Sequence, residues 1–286
     1  MQIEFTAHNI RLDDGTFTKP EIGFSMESDP RFVSARRVLE TVFPGDKSQI
    51  RIADLGCLEG GYTVEFARMG FQALGLEVRD ANIAACRYVK SKTNLPNLEF
   101  VQDDAWNIGK YGIFDACFCC GLLYHFDKPK KYLEMLSAIT SKLLILHTHF
   151  SSDTDGIKIY VPRLLNKTMA MIFKYDQSSA EIFNLSPITE NESLRGRWYL
   201  EFKSDASFKD REHTKWSSWD NRRSFWIQRE YLLQTIQDVG FDMVMEQFDV
   251  LAPNIADSLL HEYKSQSRGM FIGIKTQGKG GAGKWA

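Results

Sequence analysis

Long hydrophobic runs are absent. Every apolar stretch of the 286 residues is interrupted by charge before it reaches bilayer-spanning length. The opening Met1-Gln2-Ile3-Glu4 has no cationic region followed by an apolar one, so no secretory leader is expected and the chain reads as soluble and cytoplasmic. An excess of one charge sign is missing too: Lys+Arg number 35 and Asp+Glu 37, a net charge of −2 at pH 7. That balance lacks the positive excess expected where phosphate neutralisation dominates binding. Cysteine is sparse. The five thiols (Cys57, Cys86, Cys117, Cys119 and Cys120) are an odd number without a second ligand pair at zinc-site spacing. They read as small buried hydrophobes rather than a disulfide framework or a metal centre. What is present, 43% hydrophobic and 25% charged residues, excludes intrinsic disorder. It suffices for one domain with an insertion or for two small domains.

Periodicity organises the chain. Residues 1–47 read as an irregular or hairpin-forming arm, turning at Asp13-Asp14-Gly15, and then a helix capped by Asp29-Pro30 and ended by Pro44-Gly45. From Gln49 to residue 150 short apolar strands alternate with amphipathic helices. The expected strands are Ile50–Leu55, Ala73–Glu77, Leu98–Val101, Phe114–Cys120 and Leu143–His147. Such alternation implies an α/β fold, a seven-stranded, mostly parallel Rossmann-like sheet with helices on both faces. Residues 151–224 are polar and weakly periodic, too long for an ordinary connection, and are expected to cap the domain. Alternation resumes over 225–276, with a helix near Arg229–Val239 and strands near Met243–Val250 and Met270–Lys275. The glycine-rich 277–286 reads as a flexible tail whose Lys279 and Lys284 are solvated.

The segment Ile52-Ala53-Asp54-Leu55-Gly56-Cys57-Leu58-Glu59-Gly60-Gly61-Tyr62-Thr63 closes the first strand and opens a helix. Glycines there let a ligand approach the backbone, and the helix start presents unpaired N–H donors. In an open α/β sheet, ligands bind in this crevice at the carboxyl ends of the strands. Glu77 ends the second strand, where a carboxylate can accept both hydroxyl protons of a ribose. A nicotinamide dinucleotide and S-adenosylmethionine are the competing ligands. Leu58 stands where the dinucleotide fingerprint has its second glycine, and Asp54 disfavours a pyrophosphate while suiting a cationic amino-acid moiety.

In these residues the chain resembles the class I S-adenosylmethionine-dependent methyltransferases, over roughly 48–150 and again over 226–276. Asp54, Gly56 and Gly60 match the family's acidic residue and G-x-G-x-G loop; Leu58 departs at the middle glycine. The resemblance implies that this loop, Cys57 included, wraps the methionine half of the cofactor and that Glu77 holds the ribose. It also implies that Asp104, in Gln102-Asp103-Asp104-Ala105, contacts the adenine amino group. Cys120-Gly121-Leu122-Leu123-Tyr124-His125 matches the segment bordering the methyl-transfer site. Its Gly-Leu-Leu-Tyr-His wording is also similar to the tRNA wobble-uridine carboxymethyltransferases.

Methyl transfer is an in-line displacement that positioning can accelerate, with a base required only for a protonated acceptor. Candidate catalytic residues at strand ends are Tyr124, His125 and His149, with His213 in the insertion a further histidine. His147, His149, Asp153 and Asp155 could in principle orient a divalent ion, but His-x-His spacing is thin support, and no metal is expected. The insertion is expected to choose the acceptor, since 198–226 holds eight aromatic residues, among them Trp198, Trp216, Trp219 and Trp226. These read either as the cap's own core or as the wall of a pocket for an aromatic or apolar molecule. Arg197, with Arg195, Arg222 and Arg223 nearby, could pair with a substrate carboxylate or phosphate. The expectation is a methyltransferase acting on an O, N or C atom of a small molecule. A tRNA-modifying transferase and a non-catalytic cofactor-binding module are the rivals. Nucleic acid and membrane are not the expected partners.

Overall fold

A computed structural model describes residues 3–151, 185–202, 206–249 and 268–276. The proposed tail, Asp153, Asp155 and most of the first half of the insertion lie outside the described residues. Seven strands form one sheet: β1 (Arg51–Leu55), β2 (Gln72–Glu77), β3 (Leu98–Gln102), β4 (Phe114–Cys120), β5 (Thr140–His149), β9 (Met243–Gln247) and β10 (Arg268–Ile274). Their order is β3-β2-β1-β4-β5-β10-β9. β1 to β5 pair in parallel, while β10 runs antiparallel between β5 and β9. Strand order reverses beside β1, which opens a crevice between the carboxyl ends of β1 and β4.

Helices cover both faces. α1 (Pro30–Val42), α2 (Gly61–Arg68) and α3 (Asp80–Ser91) cover one, with a buried cluster that includes Phe32, Phe66, Phe71 and Phe118. α4 (Pro129–Ile139) and α6 (Arg229–Asp238) cover the other, over Phe114, Tyr132, Leu144 and Phe271. α1 begins as its sequence implies: the Asp29 carboxylate accepts from the Arg31 and Phe32 amides, and Pro30 occupies the first turn. The arm turns at Gly15, and Arg11 pairs with Phe17 across that turn.

The described part of the insertion is more regular than its sequence suggests. β6 (Thr189–Asn191), β7 (Leu194–Leu200) and β8 (Arg223–Ile227) form an antiparallel sheet, and a short α5 (Phe208–His213) lies between β7 and β8. β8 spans the expected 224/225 boundary and belongs to this second sheet. Glu192 and Ser193 both adopt positive φ in the two-residue β6–β7 turn. The Glu192 carboxylate then accepts from the Lys130 and Lys131 amides at the start of α4, so the turn caps a core helix. Backbone bonds from Phe225 to Phe126 and from Ser151 to Ile227 tie the small sheet to the large one. No helix among the described residues is long and apolar enough to cross a membrane.

Candidate active site

The cofactor loop keeps a glycine-type path without its middle glycine. Gly56, Leu58 and Gly60 all have positive φ, at 67°, 53° and 83°. Leu58 holds this left-handed conformation at a cost of roughly 1–2 kcal/mol. Two contacts fix it: its N–H donates to Glu77 Oε2 at 3.0 Å, and its carbonyl accepts from the Cys86 thiol at 3.2 Å. Gly60 requires its glycine sterically, because a Cβ there would lie 2.6 Å from the Phe100 ring.

A cavity of about 200 Å³ opens above this loop and extends along the carboxyl ends of the parallel strands. Of the residues singled out from the sequence, Gly56, Cys57, Glu77, Ala105, Gly121, Tyr124, His125, Trp216 and Trp219 line it. Glu77 is buried beneath the floor. Its Oε1 accepts from the Val78 and Arg79 amides at 2.9 Å each, and its Oε2 accepts from Leu58. Burial pushes its carboxyl above the ordinary range, against the pull of those donors and of the Arg79 guanidinium.

The remaining candidates are placed elsewhere. Asp54 is buried behind the loop, accepting from Thr63 Oγ1 at 2.6 Å. Burial, with the Glu77 charge adding to it, raises its pKa to about 7. Asp104 caps the short helix after β3 by accepting from the Trp106 amide, and the cavity wall there is formed by Asp103 and Ala105. β5 runs two residues past the expected strand, and the His149 ring stacks on Trp226 at 4.5 Å and meets the Tyr124 edge at 4.6 Å. Trp226 is buried against Tyr199 and donates its indole N–H to the Tyr124 carbonyl. Trp198 packs on Phe225 under the Arg223 guanidinium. Arg197 is buried and donates to the Ser186 carbonyl at 2.9 Å. His147 lies beside Cys120 (Nδ1 to Sγ 3.6 Å), and burial holds it neutral, with Arg268 and Arg31 adding to that effect. His213 is bonded to the Lys209 carbonyl in α5, away from the cavity. Among the described residues, no group of three or more His, Cys, Asp and Glu side chains could hold a metal ion.

The structure also adds residues to the site. The arm closes over the loop: Glu59, completely buried, accepts from the Thr6, Ala7 and His8 amides and from the Thr6 hydroxyl at 2.6–3.1 Å. Lys215 from the insertion approaches the same carboxylate at 3.6 Å. His8 Nδ1 accepts from the Gly61 amide at the start of α2, which requires a neutral ring; burial lowers its pKa to about 4. Arg79 donates to the Ser217 carbonyl and lies over the Trp219 ring, so the insertion grips the rim next to Glu77. His125 Nδ1 lies 2.8 Å from Glu201 Oε1. The buried Glu201 carboxylate also accepts from Ser224 Oγ and the Ser218 amide. None of these partnerships has a local sequence signature, since each joins residues more than fifteen positions apart.

A doubly wound sheet with strand order β3-β2-β1-β4-β5-β10-β9, a glycine loop after β1 and a buried acid ending β2 defines a class I S-adenosylmethionine-dependent methyltransferase. The methyltransferase-domain family matches residues 46–219. The chain belongs to that family. Among solved structures it is similar to the N-terminal domain of EvdMO1 with SAH bound (TM-score 0.60, 20% identity, 93% of this chain and 90% of that one). The same domain in the presence of SAH and D-fucose gives TM-score 0.59 and 22% identity, over 87% and 83% of the two chains. No curated protein matches the chain by sequence. The cavity fits the cofactor chemically. The Glu77 carboxylate has acceptor capacity beyond its three amide donors, as a ribose diol requires, and Gly56 and Ala105 keep the adjoining walls free of bulk.

Proposed function

We propose that the chain methylates a hydroxyl group of a small molecule, with His125 as the general base and Glu201 as its orienting partner. The observation that carries this reading is the His125–Glu201 contact at the cavity wall, 2.8 Å from Nδ1 to Oε1. A carboxylate can only accept, so the ring nitrogen facing it, Nδ1, carries a proton, and Nε2 is the nitrogen that can act as the base. Bound S-adenosylmethionine supplies an electrophilic methyl group on a sulfonium. Gly56, Cys57, Glu77 and Ala105 would hold that cofactor, with Gly121 bordering the acceptor end. His125 takes the hydroxyl proton at Nε2 as the oxygen becomes nucleophilic, and the Glu201 carboxylate stabilises the imidazolium so formed. Tyr124, braced by His149 and Trp226, forms the wall beside the base, and Trp216 and Trp219 also line the cavity. The aromatic walls support a small, flat acceptor.

The test is incubation of the protein with methyl-labelled S-adenosylmethionine and a cell extract, then separation by size. Label in the small-molecule fraction, lost with His125→Gln, is expected. Label confined to nuclease-sensitive RNA, or full transfer by His125→Gln, would overturn the reading.

A further inference from the structure

Three guanidinium groups face the cavity: Arg31, Arg79 and Arg268. Two have their charge answered within the fold. Arg31 forms a fork with Asp29, Nε to Oδ1 at 3.0 Å and Nη2 to Oδ2 at 2.6 Å. Arg79 lies close enough to Glu77 for each to shift the other's ionisation, and it donates to carbonyls of the insertion. Arg268 differs. Its contacts are to a neutral group, the Tyr124 phenol: Nη2 lies 3.3 Å from the hydroxyl, and the guanidinium carbon 5.3 Å from the ring centre. Its Nε, like that of Arg79, is buried without a hydrogen-bond partner, but no carboxylate among the described residues forms an ion pair with Arg268.

Its place in the sheet says which end of the cavity it serves. Arg268 opens β10 and lies opposite His149 of β5, so its backbone is four strands from Glu77 on β2, roughly 19 Å at ordinary strand spacing. Its side chain returns toward β4, where a Cβ on Gly121 would come within 3.3 Å of Nη2. It therefore stands with Tyr124, whose ring lies 4.2 Å from that of His125. Of the four arginines that the sequence offers for this task, Arg197 and Arg223 are engaged by the Ser186 carbonyl and the Trp198 ring, and neither they nor Arg195 and Arg222 are among the residues lining the cavity.

A guanidinium's planar set of donors matches a planar carboxylate in geometry, and withdrawal from water strengthens such a pair. We infer that Arg268 recognises a carboxylate on the methyl acceptor, so that the substrate class is a hydroxy acid, with its carboxylate on Arg268 and its hydroxyl at His125. This inference rests on the proposed small-molecule methyltransferase function and deepens it.

The experiment uses the full chain saturated with S-adenosylhomocysteine. Acetate and benzoate are titrated against their neutral counterparts, acetamide and benzamide, and followed by calorimetry and by the Arg268 Nε–H resonance. Benzoate is expected to shift that resonance and to bind at least tenfold more tightly than benzamide. Arg268→Gln should bring the two within twofold and leave S-adenosylhomocysteine affinity unchanged; Arg268→Lys should keep part of the preference. An unmoved Nε–H resonance with both acids, or equal binding of acid and amide, would overturn the assignment. A tenfold loss of S-adenosylhomocysteine affinity in folded Arg268→Gln would do the same, because the guanidinium would then serve the cofactor's own carboxylate. If the wild type fails to bind S-adenosylhomocysteine, the parent reading falls; if it binds and the acids are not distinguished, only the hydroxy-acid assignment falls.

Discussion

Replacing Asp54 by Asn should make the protein's stability markedly less sensitive to pH. Asp54 ends β1 as a buried carboxyl whose hydrogen bond from Thr63 does not offset the loss of water, so its pKa rises from 3.8 to about 7. A shift of about three pH units corresponds to about 4 kcal/mol at 1.36 kcal/mol per unit. Between pH 3.8 and about 7 the folded state keeps a proton that the unfolded chain gives up. Stability therefore falls as pH rises through that window and is flat with respect to this group above it. Asn cannot titrate, and its carbonyl can still accept from Thr63. Urea unfolding of wild type and Asp54→Asn at half-unit steps from pH 4 to 8 isolates the effect, because other titrating groups cancel in the difference. The variant should gain on the wild type by up to about 4 kcal/mol between the ends of that range. A difference that stays constant across it would show that Asp54 ionises as an exposed carboxyl does, and would refute the argument from burial.

Four further outcomes follow from the geometry. His125→Gln should lower turnover by about 10²–10⁴-fold and Glu201→Gln by a smaller factor, with cofactor affinity unchanged in calorimetry. Equal affinity loss would mean that both residues hold the cofactor instead. Glu59→Gln replaces an acceptor of the arm's amides with a donor, a loss of about 2 kcal/mol, so Thr6, Ala7 and His8 should exchange their amide hydrogens about 30-fold faster while β1 exchange is unchanged. His8 titrates in the sense opposite to Asp54: with a folded pKa of about 4 against 6.5, its contribution to stability is lost as pH falls through that interval, by up to about 3 kcal/mol. Unfolding of His8→Gln beside wild type should show it, and parallel curves would count against a neutral buried ring. Finally, Leu58→Gly should be about 1 kcal/mol more stable than Leu58→Ala in thermal unfolding, the reverse of the usual order, because position 58 is left-handed.

The large sheet is legible in the sequence because its strands are buried on both faces and read as short apolar runs between amphipathic helices. The β6–β8 sheet is not: Gly196 lies where a Cβ would meet the Trp226 carbonyl at 2.3 Å, and buried Arg197 follows it, so β7 shows no alternation. The loop and Glu77 are legible because glycines and a strand-ending acid are local marks. Glu59, His8, Glu201 and Arg268 acquire their places from partners far away in the chain, which no periodicity records. The aromatic excess divides: Trp198 and Trp226 are spent on packing, whereas Trp216, 64% exposed, and Trp219 stand at the rim. His149, two residues beyond the expected strand end, stacks on Trp226 and is not among the residues lining the cavity.

Calorimetric titration of S-adenosylmethionine into wild type and Glu77→Gln shows whether the cleft over Gly56 and Glu77 holds the cofactor. One saturable site is expected in the wild type, weakened about 10–100-fold in the variant with its circular dichroism unchanged. No heat of binding in the wild type, or equal affinity in the two proteins, would contradict it.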